Sequence, residues 1–400
     1  MPSTSFVIFA PLHTDGSHVP DGALAVTGER IAFSGTRAQF LARADAAAFT
    51  VRPVPEGAQL LPGLIDLHCH GAVGADFPNA QPGPVAQAID FLHRAGTTTL
   101  LGSLVTAERG TMLQAAATLA DFVEAGLLAG IHAEGPFLSE ARCGAQDPRY
   151  LGDPDPRFVA DLAAACRGTL RTMTYAPERA GSSELIEQLV DLGVLPSLGH
   201  TDSSTAQAAD SLRHAHRRLS AHASLPSTPT VTHLFNGMPP LHHRSPGPLA
   251  ACLEQARQGQ AVVELIADGV HLDPDTVRMV FTLVGAANVV LVTDSMAATG
   301  LADGNYELGP QQVTVADGQA RLSSDGSLAG GTATLLDVVR RAVAGGVPLE
   351  QALLSATAVP ARLLGLEDTA GALRSGRSAD VLVVDQDLEL LEVFRQGRPL

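Results

Sequence analysis

Between residues 59 and 298 the chain alternates short apolar runs with helix-patterned stretches, and this repetition constrains the fold more than any other feature. The runs are Leu60–Leu67, Thr97–Val105, Gly130–Glu134, Leu170–Tyr175, Val194–Leu198, Thr230–Phe235, Ala261–Ala267 and Val289–Val292. Helical spacing of apolar residues fills many of the gaps, as in Val85–Ala95, Thr111–Ala125 and Ser183–Leu192. Strand alternating with helix specifies a parallel sheet covered by helices, and eight repeats predict a (β/α)8 TIM-like barrel. Outside this region, Ala23–Val26 and Arg30–Ser34 flank Thr27-Gly28-Glu29 as a hairpin, and Val381–Asp385 and Leu390–Arg395 read as two further strands. A closed barrel has no place for them. The expected architecture is therefore α/β, with residues 1–58 and 372–400 forming a small β-sandwich and residues 59–371 forming the barrel inserted between them.

Composition narrows the chemistry. With 45% hydrophobic and 17% charged residues the 400-residue chain has material for a large core, which excludes intrinsic disorder. A net charge of −16 argues against nucleic acid or an anionic membrane as partner. All 26 basic residues are Arg, so a Schiff-base lysine, a P-loop lysine and a carbamylated-lysine metal bridge are ruled out. Cys69, Cys143, Cys166 and Cys252 are widely spaced without a CxxC, as in a reduced cytoplasmic protein. Met1–Ala10 contains no basic residue and reads as no signal peptide, and no apolar stretch approaches the ~20 residues of a membrane span.

In a parallel barrel the strand bodies should be apolar, and catalytic groups gather where strands end. Here the first run ends in Asp66-Leu67-His68-Cys69-His70, the third in His132-Ala133-Glu134, the fifth is followed by Gly199-His200-Thr201, and the sixth contains Thr232-His233-Leu234-Phe235-Asn236 at its end. The seventh is followed by Asp268-Gly269-Val270-His271 and the eighth by Thr293-Asp294-Ser295. The period of two in a strand puts His68 and His70 on one face, within reach of one cation. Joined to Glu134, His200, His233 and Asp294, they form an imidazole and carboxylate set suited to zinc first, and also to iron, manganese or cobalt. His132 alternates away from Glu134 and reads as a packed core histidine; Cys69 faces away from its neighbours and reads as packing. His13, His18, His93, His214, His216 and His222 read as solvated, and residues 201–229 as a helix followed by a mobile loop.

Leu61-Pro62-Gly63-Leu64-Ile65-Asp66-Leu67-His68-Cys69-His70-Gly71 resembles the opening motif of the amidohydrolase superfamily. His132-Ala133-Glu134-Gly135-Pro136-Phe137, Gly199-His200-Thr201, Thr232-His233-Leu234-Phe235-Asn236-Gly237-Met238, Asp268-Gly269-Val270-His271, Leu291-Val292-Thr293-Asp294-Ser295-Met296 and Leu328-Ala329-Gly330-Gly331 follow in the order found in N-acetylglucosamine-6-phosphate deacetylases. The resemblance covers nearly the whole chain. It implies that Glu134, His200 and His233 bind the main catalytic metal and that His68 and His70 allow a second ion. It implies that Asp294 is the acid/base beside the metal and that His271 contacts the acetyl carbonyl. Asn236, the Gly237 backbone and Arg244 would hold the sugar phosphate, with Arg244 reaching in from the other subunit of a homodimer. Leu328, Ala329 and Gly330 would line the substrate through their backbone, and Ala145 would sit in the loop after the glutamate motif.

Two features depart from the family. Gly144-Ala145-Gln146 stands where relatives carry Gly-Ala-His, and Gln146 can donate to a sugar or phosphate oxygen but cannot become cationic. The stretch from His200 to His233 is also longer than the resemblance leads one to expect, with Arg217–Thr230 as the added part, read as surface elaboration rather than a lid. The expected reaction is deacetylation of N-acetyl-D-glucosamine 6-phosphate to D-glucosamine 6-phosphate and acetate. Another N-acyl or cyclic-amide hydrolase stands second; a non-catalytic metal-binding barrel ranks below both because Asp294 and every ligand are present.

Overall fold

A computed structural model describes residues 5–400; the first four residues, where the expected sandwich segment begins, lie outside the described residues. Eight parallel strands follow one another in chain order around a single sheet: Leu64–Asp66, Thr97–Leu104, Gly130–Glu134, Leu170–Tyr175, Leu195–Leu198, Thr230–Val231, Val262–Leu265 and Val289–Leu291. Helices such as Pro82–Arg94, Arg109–Glu124 and Ser182–Asp191 return the chain between them, each with an apolar stripe on the sheet. This is the (β/α)8 arrangement that the periodicity predicts.

The barrel closes beyond its strands. Between the first and the eighth, Asp294 N–H donates to His68 O at 2.9 Å and His70 N–H donates to Ser295 O at 2.7 Å. Buried Asp66 reinforces the seam: its carboxylate accepts from Thr293 Oγ1 at 2.6 Å, His68 N at 3.2 Å and Thr293 N at 3.3 Å. The seam that shuts the barrel therefore also sets His68, His70 and Asp294 side by side.

The N- and C-terminal segments build two further sheets. One orders Arg30–Thr36, Gly22–Thr27, Ser5–Phe9 and Thr50–Val51; the other orders Arg398–Pro399, Leu390–Arg395, Val381–Val384, Gln59–Pro62, Leu12–Thr14 and Ser17–Val19. Ile8, Leu24, Ile31, Leu60, Val381, Val383 and Phe394 pack together between them. Leu382 and Val384, on the opposite face of the same strand, join the main barrel core instead. This double burial explains why Val381–Val384 is apolar at every position.

Three details differ from the sequence reading. The run Leu60–Leu67 is not one strand: Gln59–Pro62 pairs with Val381–Val384, and Leu64–Asp66 pairs with the second barrel strand. The break falls at Gly63, whose N–H donates to Asp380 O at 2.9 Å, because the chain there changes sheets. A three-stranded meander, Gly304–Leu308, Gln311–Ala316 and Gln319–Leu322, was not anticipated; Asp317-Gly318, both at positive φ, makes its second turn. His93 and His13 are buried rather than solvated, His93 with its ring nitrogens 2.8 and 3.1 Å from the carbonyls of Thr97 and Leu127, and His13 with Nε2 2.7 Å from Gln59 Oε1. As expected for residues 201–229, a helix, Thr205–Ser220, runs through the basic stretch, and the loop after it leads into the start of the sixth strand. That connection lies at the barrel mouth opposite the strand ends, so it cannot cover them. Among the described residues no helix is long and apolar enough to cross a membrane.

Gly63→Ala tests the joint between the sheets. The added Cβ would fall on the Thr98 hydroxyl and 2.9 Å from Asp380 Cβ. Overpacking of this kind costs about 1–3 kcal/mol, to be read from denaturant unfolding; an unchanged midpoint would show that the joint is loose.

Candidate metal centre and active-site cleft

The ends of the first, third, fifth, sixth and eighth strands each contribute one or two side chains, and they converge. Glu134 Oε1 lies 2.9 Å from His200 Nε2 and 2.8 Å from His233 Nε2, while those two nitrogens are 3.1 Å apart. On the other side, His68 Nε2 and His70 Nε2 are 3.0 Å apart, and Asp294 Oδ1 lies 3.4 and 3.2 Å from them. Glu134 Oε2 faces this second group, 3.6 Å from His68 and 3.3 Å from His70. Two groups of three potential ligands, Glu134–His200–His233 and His68–His70–Asp294, thus share a boundary at one carboxylate.

The backbone is bent to achieve this. His200, His233 and Asp294 all adopt left-handed φ, of 45°, 27° and 49°. Such conformations cost of order 1–3 kcal/mol for a residue with a Cβ and collect at functional sites. Gly237 is required by the same packing: a Cβ there would lie 2.7 Å from His200 Nδ1.

The electrostatics follow from burial without an internal lysine or arginine. Burial alone would raise Glu134, but His68, His200 and His233 hold its pKa well below the usual carboxylate range. Asp294 is likewise lowered, burial being outweighed by His68 and His70. Burial would lower His70, yet Asp294 and Glu134 raise it to about 9. Buried imidazoles and carboxylates with converging lone pairs are the donor set of a divalent transition metal. The Glu134–His200–His233 group offers three protein ligands and faces a cleft, as a catalytic zinc site with an open position would.

That cleft has a volume of about 210 Å³ and is walled by His70, Glu134, Ala145, Gln146, His200, His233, Asn236, Gly237, His271, Asp294, Leu328 and Gly330, with Leu308 from the meander. His271 Nδ1 is bonded to Asp268 Oδ2 at 2.8 Å, leaving Nε2 as its unbonded nitrogen. Burial would lower His271, but the Asp268 hydrogen bond raises it, favouring the form that carries protons on both nitrogens. Gln146 is buried; one amide N–H donates to Glu134 Oε2 at 2.7 Å and its oxygen accepts from Thr106 N at 2.7 Å. Two residues expected at the site stand off it. Ala329 packs into the core of the meander with its N–H on Ala320 O at 3.0 Å. Arg244 is exposed and bonded to His243 Nε2 at 2.9 Å, outside the wall of this chain's own cleft.

Two neighbours of the site were not singled out from sequence. Asp268 was read only as part of a motif, and Glu264 not at all. Glu264 is the one charged residue of Val262-Val263-Glu264-Leu265, a strand body that the burial rule would leave apolar. Polar residues at strand ends are the signal for a site, and Glu264 lies inside a strand rather than at its end. His132 is a core histidine as expected, bonded to Ser103 Oγ at 3.0 Å and Thr174 Oγ1 at 2.8 Å, and Cys69 packs against Ser295.

Residues 59–400 match the model of the Amidohydrolase family. A curated N-acetylglucosamine-6-phosphate deacetylase of Bacillus subtilis (strain 168) is 36% identical over 353 residues, spanning 86% of this chain and 85% of that protein. An N-acetylgalactosamine-6-phosphate deacetylase of Escherichia coli O157:H7 is 31% identical over 89% of this chain and 93% of its own length. Among solved structures, N-acetyl-D-glucosamine-6-phosphate deacetylase of Mycobacterium smegmatis superposes with TM-score 0.87 at 38% identity, covering 99% of this chain and 100% of that one. A mutant of the M. smegmatis enzyme in complex with N-acetyl-D-glucosamine-6-phosphate superposes with the same TM-score at 36% identity, over 99% of both chains.

A metal and a proton compete for the same imidazole nitrogens, so metal binding should release protons. With His70 raised to about 9, apparent affinity for a divalent ion should climb as pH rises from 6 toward 9, about tenfold per unit for each proton displaced. Calorimetric titration of chelator-treated protein across that range checks it; a flat profile would contradict the assignment.

Proposed function

The chain belongs to the amidohydrolase family, and from that premise we propose that it hydrolyses the acetamide of N-acetyl-D-glucosamine 6-phosphate to D-glucosamine 6-phosphate and acetate. The observation that carries this reading is the convergence of Glu134, His200 and His233 within one hydrogen-bond sphere, beside Asp294 and at the floor of a sugar-sized cleft. Glu134, His200 and His233 would hold the principal metal, zinc by ligand preference and iron, manganese or cobalt as alternatives; His68, His70 and Asp294 would hold a second ion. When bound, such an ion supplies Lewis-acid activation of water and polarisation of the carbonyl.

The chain's own groups account for the proton and charge movements. Asp294, whose low pKa keeps it ionised, takes a proton from the attacking water as the C–O bond forms. It then returns that proton to the sugar nitrogen as the C–N bond breaks and acetate leaves. His271, with Nδ1 anchored on Asp268, directs Nε2–H at the oxygen on which negative charge develops, a contact of a type worth about 3–4 kcal/mol. The backbone of Leu328 and Gly330 would meet the sugar along the opposite wall.

The phosphate calls for a fixed guanidinium charge that this cleft's own wall lacks. Its wall contains no arginine, and Asn236 with the Gly237 amide provides only neutral donors. Arg244, exposed beside His242 and His243, would serve a neighbouring copy rather than its own site. We read the enzyme as a homodimer in which Arg244 crosses the interface, since Arg binds phosphate through two parallel hydrogen bonds. Four free thiols, three of them buried, fit a reducing, cytoplasmic setting.

Acetate release from N-acetylglucosamine 6-phosphate, its galactosamine epimer and the unphosphorylated sugar tests the substrate; failure on all three would sink the proposal. Asp294→Asn should keep fold and lose most turnover, by about 100-fold or more in kcat, whereas a near-normal rate would remove it as acid/base. Arg244→Ala should raise KM for the phosphorylated sugar far more than for the unphosphorylated one. Equal changes in both would take Arg244 out of phosphate binding.

A further inference from the structure

Glu264 is a buried carboxylate that the mechanism above does not use. It sits on the seventh barrel strand at 3% exposure, pointing into the barrel. An ionised group taken from water costs several kcal/mol unless partners replace the solvent. Glu264 has no arginine beside it. Its Oε2 instead meets His68 Nδ1 at 3.4 Å and the His233 N–H at 3.2 Å. The backbone carbonyl of Glu264 also takes the Leu234 N–H at 2.8 Å, so the seventh strand grips both sides of the His233 turn.

These contacts make Glu264 unlike any other support in the centre. His200 gives its Nδ1 to the Arg142 carbonyl at 2.8 Å, and Nδ1 of His70 and of His233 have no protein partner. Among the four candidate ligand histidines, His68 alone is backed at Nδ1 by a carboxylate. A histidine that donates Nδ1–H to a carboxylate presents its lone pair at Nε2 and is a stronger ligand for it. In His68 that Nε2 is the atom lying beside His70 and Asp294. Glu264 touches the other group only through backbone, at His233, so the two groups should feel its loss unequally.

We propose that Glu264 is a positioning residue that orients His68 and thereby sets the affinity of the His68–His70–Asp294 group for a cation, with little influence on the Glu134–His200–His233 group. This rests on the reading of the centre as a metal site.

The test is cobalt(II) titration of chelator-treated full-length protein, followed by visible absorption and by metal analysis of the product. The wild type should take up cobalt in two steps. In Glu264→Gln the step lost in His68→Ala should weaken by about 10–100-fold, and further in Glu264→Leu, while the other step moves by less than about threefold. Adding Glu264→Gln to His68→Ala should change nothing more. A purely structural role would lower the melting temperature and weaken both steps together, and that result overturns the proposal. So does a wild type with a single step, or a variant whose two steps are unaltered. No cobalt uptake by the wild type would sink the underlying metal reading instead.

Discussion

A buried carboxylate with no arginine or lysine to neutralise it lies at the centre of this molecule. Glu134 turns one oxygen to His200 and His233 and the other toward His68, His70 and Gln146. In a low-dielectric interior such a group is tolerable only when several donors or a cation surround it. Here the donors come from the ends of the first, fifth and sixth strands and from the loop after the third. The barrel serves to bring those ends to one point, and the chemistry is available only there.

The supports of the centre are graded by how they hold it. Asp66 locks the seam between the first and eighth strands through Thr293 and the His68 amide, so the spacing of His68 from Asp294 is set by the closure of the barrel itself. Left-handed backbone at His200, His233 and Asp294 swings those side chains off the strand axis and inward. Asp268 fixes the ring of His271, and Gln146 bridges Thr106 to Glu134. Gln146 therefore spends its oxygen and one N–H on the protein, and only its second N–H remains for a sugar.

The same interior explains why one face of the site is well furnished and another is bare. The residues proposed as metal ligands, acid/base and carbonyl donor all stand at strand ends of one chain. Arg244, proposed for the phosphate, sits instead beyond the cleft wall in a polar surface turn with His242 and His243.

Much of the architecture was legible from periodicity, since apolar runs of strand length are the direct record of strands buried on both faces. The first run misled because Leu60 and Leu64 are equally apolar although they serve different sheets, and alternation says nothing about which core a strand enters. The meander escaped because its strands are exposed on one face and its apolar positions are few. His93 and His13 escaped because a histidine's burial depends on which carbonyl or amide oxygens lie opposite it. The sequence by itself determined the strand and helix order, the ligand types and their places at strand ends, because these depend on local composition and spacing. Only the tertiary structure decided that Glu134 divides its oxygens between two groups, that Gln146 turns to Glu134, that Arg244 stands outside, and that Glu264 reaches His68. Each of these is a contact between residues distant in the chain, and barrel closure alone brings them within hydrogen-bonding distance or keeps them apart.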